Sequence, residues 1–267
     1  MGSPAGGLHY TAAGDDRDPA LLFLHGFMGS SADWLDVIYA LKDRFRCIAP
    51  DLPGHGASLG LASGSYSFEG AARATIRTLD VLDVQRATVV GYSMGGRLAL
   101  YLALRYPERC AALFLESALP GLEDAAEREA RRRSDRDKAT RLESGDFEKF
   151  LTDWYSQPPF ASLARRDGLV EEMIATRRGN DPVELARALR GMGAGTQPSL
   201  WGELPGLVVP ALAVAGELDE KFVTLSRRMA GAAPNVRAAV VSEAGHNVRA
   251  ETPETYLDSL KGFLGIP

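Results

Sequence analysis

The sequence has few of the residues that build disulfide frameworks or metal sites. Its 267 residues include only two cysteines, Cys47 and Cys110, each in or beside an apolar stretch typical of a buried strand. Two such cysteines in a chain of this length indicate a reducing compartment. The four histidines are scattered and lack the paired spacing of metal ligands. We therefore expect neither a metal nor another cofactor.

Long apolar runs and an excess of positive charge are also missing. No run approaches the roughly 18 residues that cross a bilayer, and residues 1–7 are too short and polar for a signal peptide. We therefore expect no membrane partner and a cytoplasmic location. The net charge of −5 argues against nucleic acid as a partner, because phosphate binding depends on a basic surface. A small anionic ligand stays compatible with this charge, because a single pocket can be basic.

What the chain does contain is an alternation of short apolar runs and amphipathic stretches. This pattern is typical of an α/β fold, a mostly parallel sheet with helices on both faces. Six runs predict strands, at 21–25, 47–50, 87–91, 112–116, 211–216 and 238–242. Most have Gly or Asp at or just after the C-terminal end, the edge where such sheets bind ligands. Functional residues are therefore expected in these loops.

The pattern changes between residues 120 and 204. Strand-like runs vanish, and the segment predicts several helices with dense charge of both signs. The strand pattern resumes at 211–216, so we predict a helical lid, 120–204, inserted into a core formed by 1–119 and 205–267.

Residues 91–96 predict a nucleophile elbow, Gly91-Tyr92-Ser93-Met94-Gly95-Gly96. An apolar run precedes this segment and a helix-forming stretch follows it, which is the strand–turn–helix context of the G-x-S-x-G motif. The serine hydroxyl would then project at a helix N-terminus, where free N–H groups favour developing negative charge. Ser93 is the predicted catalytic residue, and the alternative is a chance glycine-serine turn.

A serine hydroxyl needs a proton acceptor, and the acceptor needs a group that orients it. The expected chain order is Ser, acid, His. Asp219 follows the fifth predicted strand and His246 follows the sixth, so both lie in loops at the same sheet edge. Glu217 and Glu243 are alternatives for the acid, and the loop position favours Asp219. The alternative for His246 is an ordinary surface histidine.

An oxyanion hole needs two N–H donors aimed at one point. Met94, the residue after the serine, is expected to supply one, and Phe27, in the loop after the first predicted strand, the other. His25 in that loop either touches ligand or is a structural histidine. Residues 51–56, a third loop at the same edge, are interpreted as mainly architectural.

Several longer segments carry a family resemblance. They are GYSMGGR at 91–97, PGL at 120–122, ARRRSDR at 130–136, DWYSQP at 153–158, FASL at 160–163, GELDEKF at 216–222 and AGHN at 244–247. With these the chain resembles the α/β-hydrolase superfamily and, within it, the 2-succinyl-6-hydroxy-2,4-cyclohexadiene-1-carboxylate synthases of menaquinone biosynthesis. The elbow and histidine loop are general to the superfamily, whereas the segments at 130–136 and 153–163 are specific. The resemblance covers nearly all of residues 20–264.

The resemblance implies a lyase. Its substrate would be 2-succinyl-5-enolpyruvyl-6-hydroxy-3-cyclohexene-1-carboxylate, from which pyruvate is eliminated to leave a cyclohexadiene. Ser93, with its proton drawn toward His246, would act as the base. Because the substrate carries several carboxylates, the resemblance implies a substrate-binding set of Tyr92, Arg97, Arg131, Trp154 and Arg177. Arg178 could replace its neighbour in this set, and a structural ion pair is the alternative for Arg97.

Two other function classes compete with this interpretation. An esterase, thioesterase or carbon–carbon bond hydrolase would share the triad and oxyanion hole, with Ser93 as a nucleophile. A neutral ester would gain nothing from the three arginines, which is what separates it from the lyase. A non-catalytic receptor on the same scaffold is disfavoured because every triad position is filled. The sequence leaves the oligomeric state open.

Overall fold

The computed structural model describes residues 7–267, and its centre is one seven-stranded sheet. The spatial order of the strands is β1-β3-β2-β4-β5-β6-β7. Every neighbouring pair is parallel except β1 and β3, which are antiparallel. The strands are β1 Tyr10–Ala13, β2 Ala20–Leu24, β3 Arg46–Pro50, β4 Ala87–Tyr92, β5 Cys110–Glu116, β6 Ala211–Gly216 and β7 Val236–Val241.

Helices cover both faces of the sheet, which explains why the strands are apolar on both sides. In β2, Leu22 and Leu24 belong to one buried cluster, whereas Leu21 and Phe23 belong to a second. Alternate side chains of a strand point to opposite faces, so both faces are buried. The flanking helices are α1 Leu35–Leu41, α2 Phe68–Val81, α3 Met94–Arg105, α8 Glu220–Ala232, α9 Val248–Glu251 and α10 Pro253–Leu264.

The predicted strands are confirmed with ends shifted by at most two residues. The strand that the sequence did not reveal is β1, four residues with the sequence YTAA at the edge of the sheet. None of its residues is fully buried, so it lacks the apolar run by which the others were recognised. Within residues 7–267, no helix combines the length and the apolarity that crossing a bilayer requires.

Between β5 and β6 the chain forms a helical segment, which we call the insert, residues 120–204. Its helices are α4 Ala125–Ser144, α5 Phe147–Tyr155, α6 Leu169–Arg177 and α7 Pro182–Met192. Helix α4 begins where the Asp124 side chain accepts a hydrogen bond from the Glu127 amide at 2.7 Å. The insert has its own apolar cluster, which Met28 from the loop after β2 also joins. That shared cluster places the insert over the carboxyl edge of the sheet.

Candidate active site

Ser93 lies at the sharp turn between β4 and α3. Its backbone has φ of 49° and ψ of −108°, a conformation that costs energy for any residue with a side chain. The turn is held because the Ser93 amide donates to the Glu116 carbonyl at 2.9 Å. Only glycine fits at position 95, since a Cβ there would collide with the carbonyl oxygen of Leu24. The predicted elbow therefore forms with its hydroxyl at the N-terminus of α3.

The structure brings the three predicted triad residues together. The His246 Nδ1 donates to Asp219 Oδ2 at 2.7 Å, and His246 Nε2 faces Ser93 Oγ at 3.2 Å. This arrangement fixes the tautomer whose free Nε2 can accept the serine proton. Their catalytic roles stay a prediction, but the geometry that those roles require is present.

The alternative acids lie outside this arrangement. Glu217 accepts a hydrogen bond from the Glu243 amide at 3.3 Å, so these two residues contact each other. Asp219 instead caps α8, where its second oxygen accepts from the Phe222 amide at 3.3 Å. That cap fixes the carboxylate while its other oxygen contacts His246, so Asp219 is the acid placed to orient the histidine, and its catalytic role stays a prediction.

Aromatic rings enclose the imidazole. His246 is 6% exposed, and the centroids of Phe222, Tyr92 and Phe160 lie 4.7, 5.8 and 5.8 Å from its own. Burial among rings limits the ring rotations open to a histidine. The imidazole is therefore restrained to face Ser93.

The loop after β2 lies against the elbow, as the predicted oxyanion hole requires. A Cβ on Gly26 would lie 2.7 Å from the Tyr92 ring and 3.6 Å from Ser93 Cβ. Phe27 lines a small recess of about 30 Å³ together with Ser93. Met94 is the first residue of α3, so its N–H has no partner within the helix. Donation by Phe27 and Met94 to one ligand oxygen stays a prediction that this placement supports.

His25 is a structural residue in this fold. It is fully buried, its Nδ1 donates to the Gly26 carbonyl at 2.8 Å, and its Nε2 accepts from the Leu52 amide at 2.9 Å. Burial lowers its pKa. With both nitrogens occupied, the imidazole has no free group for a ligand. Asp51 likewise accepts from the amides of Ser31 and Ala57, which supports an architectural role for its loop.

A cavity of about 770 Å³ opens onto Ser93 and His246. Core loops form one side and the insert forms the other, so substrate would sit between them. Four cationic side chains contribute to the lining, Arg97, Arg131, Arg165 and Lys221. The insert also contributes Trp154, Gln157 and Phe160. Two acids, Asp219 and Glu220, also line the cavity, so the cations outnumber the acids and favour an anionic ligand.

Arg97 is a buried cation without a carboxylate partner. Its side chain is 9% exposed, its Nη1 donates to Gln197 Oε1 at 3.1 Å, and its guanidinium lies 5.3 Å from the Phe68 ring centroid. Among the described residues, no acid forms a salt bridge with it. Burial, reinforced by the charge of Arg131 and opposed in part by that of Asp135, lowers the pKa of Arg97 to about 9. The ion pair considered as an alternative is therefore absent from residues 7–267, and a substrate carboxylate would offset the charge.

Arg131 and Trp154 reach the same cavity from the insert. Arg131 Nε donates to Asp135 at 2.7 Å, and its side chain stays 41% exposed. Its two terminal nitrogens form no hydrogen bond within residues 7–267 and can pair with a second carboxylate. Trp154 packs against Phe27 with centroids 5.1 Å apart. Tyr92 is placed in the smaller recess beside Ser93.

Arg177 faces inward and Arg178 outward. The Arg177 guanidinium makes a two-pronged ion pair with Asp33, at 2.6 and 2.9 Å, and also donates to the Tyr155 hydroxyl at 3.3 Å. Burial alone would disfavour its charge, but Asp33 and Tyr155 outweigh burial and raise its pKa. Arg178 pairs with Glu148 at the surface. Substrate binding by Arg177 stays a prediction, and the geometry favours a role in joining insert and core.

Some cavity residues were missed by sequence reasoning. Arg165 lies in a segment without a distinctive signal, whereas Lys221 lies in the 216–222 segment that carried the family resemblance. Gln197, which contacts Arg97, is brought there only by the fold from 100 positions away. Phe160 and Gln157 belong to the segment that carried the family resemblance, so that resemblance could have indicated them.

Comparison with known proteins shows the family to which the chain belongs. Residues 19–252 match the alpha/beta hydrolase fold family. The chain is 35% identical over 257 residues to the 2-succinyl-6-hydroxy-2,4-cyclohexadiene-1-carboxylate synthase of Serratia proteamaculans (strain 568), covering 95% of this chain and 96% of that protein. It is 34% identical over 246 residues to the protein of the same name from Escherichia coli O1:K1 / APEC, covering 92% and 94%.

A solved structure is similar over the same length. MenH from S. aureus superimposes with a TM-score of 0.92 at 33% identity, covering 96% of this chain and 98% of that one. The similarity therefore extends over the core and the insert together.

Proposed function

Because this chain belongs to the alpha/beta hydrolase fold family, and within it to the family of the 2-succinyl-6-hydroxy-2,4-cyclohexadiene-1-carboxylate synthases, we propose that it is a carbon–oxygen lyase. Its substrate is 2-succinyl-5-enolpyruvyl-6-hydroxy-3-cyclohexene-1-carboxylate. The products are pyruvate and 2-succinyl-6-hydroxy-2,4-cyclohexadiene-1-carboxylate. The relatives that carry this name match the chain over nearly its whole length.

The elimination begins with a proton on the ring carbon beside the succinyl carbonyl. Ser93 Oγ takes this proton while its own proton passes to His246 Nε2, and Asp219 stabilises the resulting imidazolium. The electron pair of the broken C–H bond forms the 2,3 double bond, and the existing 3,4 double bond shifts to 4,5. The C5–O bond breaks, so enolpyruvate leaves, takes up a proton and becomes pyruvate.

Charge develops on the succinyl carbonyl oxygen as the proton departs. The amides of Phe27 and Met94 are the proposed donors to that oxygen. The reaction needs only a base, hydrogen-bond donors and a leaving group, and every base and donor named here belongs to the chain itself. No covalent bond between Ser93 and the substrate is needed.

Arg97 is buried and forms no ion pair with an acid of residues 7–267, and the choice of an anionic substrate rests on this observation. A buried cation without an acidic partner is costly unless a ligand supplies the negative charge. Arg131 places a second cation on the same cavity wall. Two guanidinium groups beside Ser93 suit a substrate with several carboxylates better than a neutral ester.

The proposed partner is accordingly a small polycarboxylate. A cytoplasmic location belongs to the same proposal, supported by the buried free thiols of Cys47 and Cys110.

Pyruvate release from the enolpyruvyl substrate tests the proposed function. Purified protein in metal-free, nucleotide-free buffer is expected to release one pyruvate per substrate, detected with a coupled dehydrogenase. Ser93→Ala should lose about 10³-fold or more in kcat while still binding substrate. Wild-type kcat in that variant would contradict a basic role for Ser93. Rapid hydrolysis of esters without pyruvate release would favour the hydrolase alternative, which the strained Ser93 and its histidine also suit.

A further inference from the structure

Beyond the triad, one buried carboxylate holds the backbone of the histidine loop. His246 lies between β7 and the short helix α9, and the last residue of α9 is Glu251. The Glu251 side chain accepts hydrogen bonds from the amides of Gly245 at 2.8 Å and Asn247 at 3.1 Å. These are the two residues on either side of His246. A single carboxylate thus fixes the chain both before and after the histidine.

Burial makes these bonds strong. Glu251 is 7% exposed, and hydrogen bonds from N–H groups to a carboxylate are shorter and stronger than those to a neutral acceptor. Buried amides need partners, and this loop lies outside any strand or long helix. Among the described residues, the Gly245 amide has no other hydrogen-bond partner, so it would be left unpaired without Glu251. The loop would then be free to shift.

Glu251 and Asp219 restrain different parts of the histidine. Asp219 holds Nδ1 and so sets the tautomer, whereas the bonds from Glu251 set the backbone from which the ring projects. The Arg166 side chain, at the end of the insert's 158–165 turn, donates to the Ala250 and Glu251 carbonyls. The helix that carries Glu251 is therefore itself tied to the insert.

We infer that Glu251 is a positioning residue, which holds the 245–247 backbone so that His246 Nε2 stays within reach of Ser93 Oγ. It touches neither substrate nor the reacting atoms and acts through His246. The inference rests on the proposed use of the Ser93–His246 pair and applies whatever the substrate is. Misplacing a catalytic group by about 1 Å can lower the rate on the order of 10²-fold. Replacing Glu251 is therefore expected to lower kcat and to leave KM nearly unchanged.

Glu251→Gln and Glu251→Ala test this role. The glutamine keeps one acceptor but turns an NH₂ group toward the other amide, and the alanine removes both acceptors. The first readout is covalent labelling of Ser93 by phenylmethylsulfonyl fluoride, followed by intact mass. There the serine oxygen bonds to sulfur, fluoride leaves and the serine proton passes to His246. Both variants are expected to label on the order of 10- to 100-fold more slowly, and kcat for pyruvate release should fall equally with KM within about threefold.

The matched control is Glu254→Gln, an exposed carboxylate three residues along, which should label at the wild-type rate. Ser93→Ala should not label. Rates are taken per folded protein, determined from thermal unfolding, because a purely structural role would lower the folded fraction without slowing its labelling. Should Glu251→Ala not fold, the glutamine variant decides.

A labelling rate within about twofold of wild type in folded Glu251→Gln overturns the positioning role. Failure of that variant to fold also overturns it, in favour of a structural role. The two proposals can also fail separately. If the wild-type protein labels rapidly but releases no pyruvate, and the Glu251 variants label slowly, the lyase function is wrong and the positioning role of Glu251 is retained.

Discussion

The positive charges of Arg97 and Arg131 have different surroundings in the protein. Arg131 has an acidic neighbour, Asp135, and partial contact with solvent. Among the described residues, Arg97 contacts only the Gln197 amide oxygen and the face of Phe68, neither of which carries a full charge, and Asp135 attracts it without forming an ion pair. A residue kept at such a cost in folding stability is expected to contribute to function.

The variant Arg97→Met should therefore be more stable and less active. Removing an uncompensated buried cation is expected to raise the free energy of unfolding by about 1 kcal/mol. Losing a charged hydrogen bond to substrate should lower kcat/KM by roughly 10- to 100-fold. Urea unfolding and pyruvate-release kinetics measure the two effects. Arg178→Met, at an exposed pair, is the control, and unchanged kcat/KM in Arg97→Met would remove Arg97 from the substrate site.

The single residues of the site differ in how much the sequence revealed. Ser93, Asp219 and His246 follow strands at the carboxyl edge, so local pattern and chain order were enough to indicate them. The ion pair between Arg177 and Asp33 could not be predicted from local sequence patterns, because the two residues lie 144 positions apart in the chain. The role of Glu251 could not be predicted either, because its hydrogen bonds to the Gly245 and Asn247 amides depend on the conformation of the loop and not on a sequence motif.

At the scale of elements, the insert is joined to the core through the loop that follows β2. The buried pair of Arg177 in α6 and Asp33 near α1 is one connection, and the Asn180 side chain donates to the Met28 carbonyl at 2.9 Å as another. Both connections reach the segment that carries Phe27. The sequence predicted the helices of the insert from its charge and its lack of strands, but not these connections, which require the tertiary structure.

Breaking the first connection should affect stability more than substrate binding. Arg177→Met leaves the Asp33 carboxylate buried and unpaired, so the free energy of unfolding should fall by about 3–5 kcal/mol. Adding Asp33→Asn should recover part of this loss, because the orphaned charge is then gone. Chemical denaturation of the two single variants and the double variant measures the coupling. A raised KM with wild-type stability in Arg177→Met would instead indicate a direct contact with substrate.

At the scale of the whole molecule, the sheet buries an ionisable group at the carboxyl end of β5, one of its inner strands. Glu116 ends β5, is fully buried, and receives the Arg249 amide at 3.1 Å on one oxygen. Its second oxygen has no hydrogen-bond partner among the described residues. The apolar runs predicted the positions of six strands but not their order or register in the sheet. They also did not distinguish a buried carboxylate at the end of such a run from one exposed in a loop.

Burial raises the pKa of Glu116 to about 7, with Arg249 opposing the shift and Glu251 adding to it. In the unfolded chain this carboxyl has its ordinary pKa of about 4.5. Between these values the folded protein keeps a proton that the unfolded chain has lost, so stability falls as pH rises from about 4.5 to 7 and then levels off. Over the whole pH range the contribution of this one group is about 3 kcal/mol.

Glu116→Gln should remove that slope, because the amide keeps the shape of the protonated carboxyl and cannot ionise. We expect the free energy of unfolding of the wild type to decline between pH 5 and pH 8 by about 2–3 kcal/mol more than that of Glu116→Gln. Urea titrations at several pH values measure the difference, with the exposed Glu254→Gln as the control. Tyr92 and Tyr256 also face Glu116, but tyrosine ionises above this range. Parallel pH profiles for wild type and Glu116→Gln would show that Glu116 is ionised in the folded protein throughout, and that Arg249 compensates it fully.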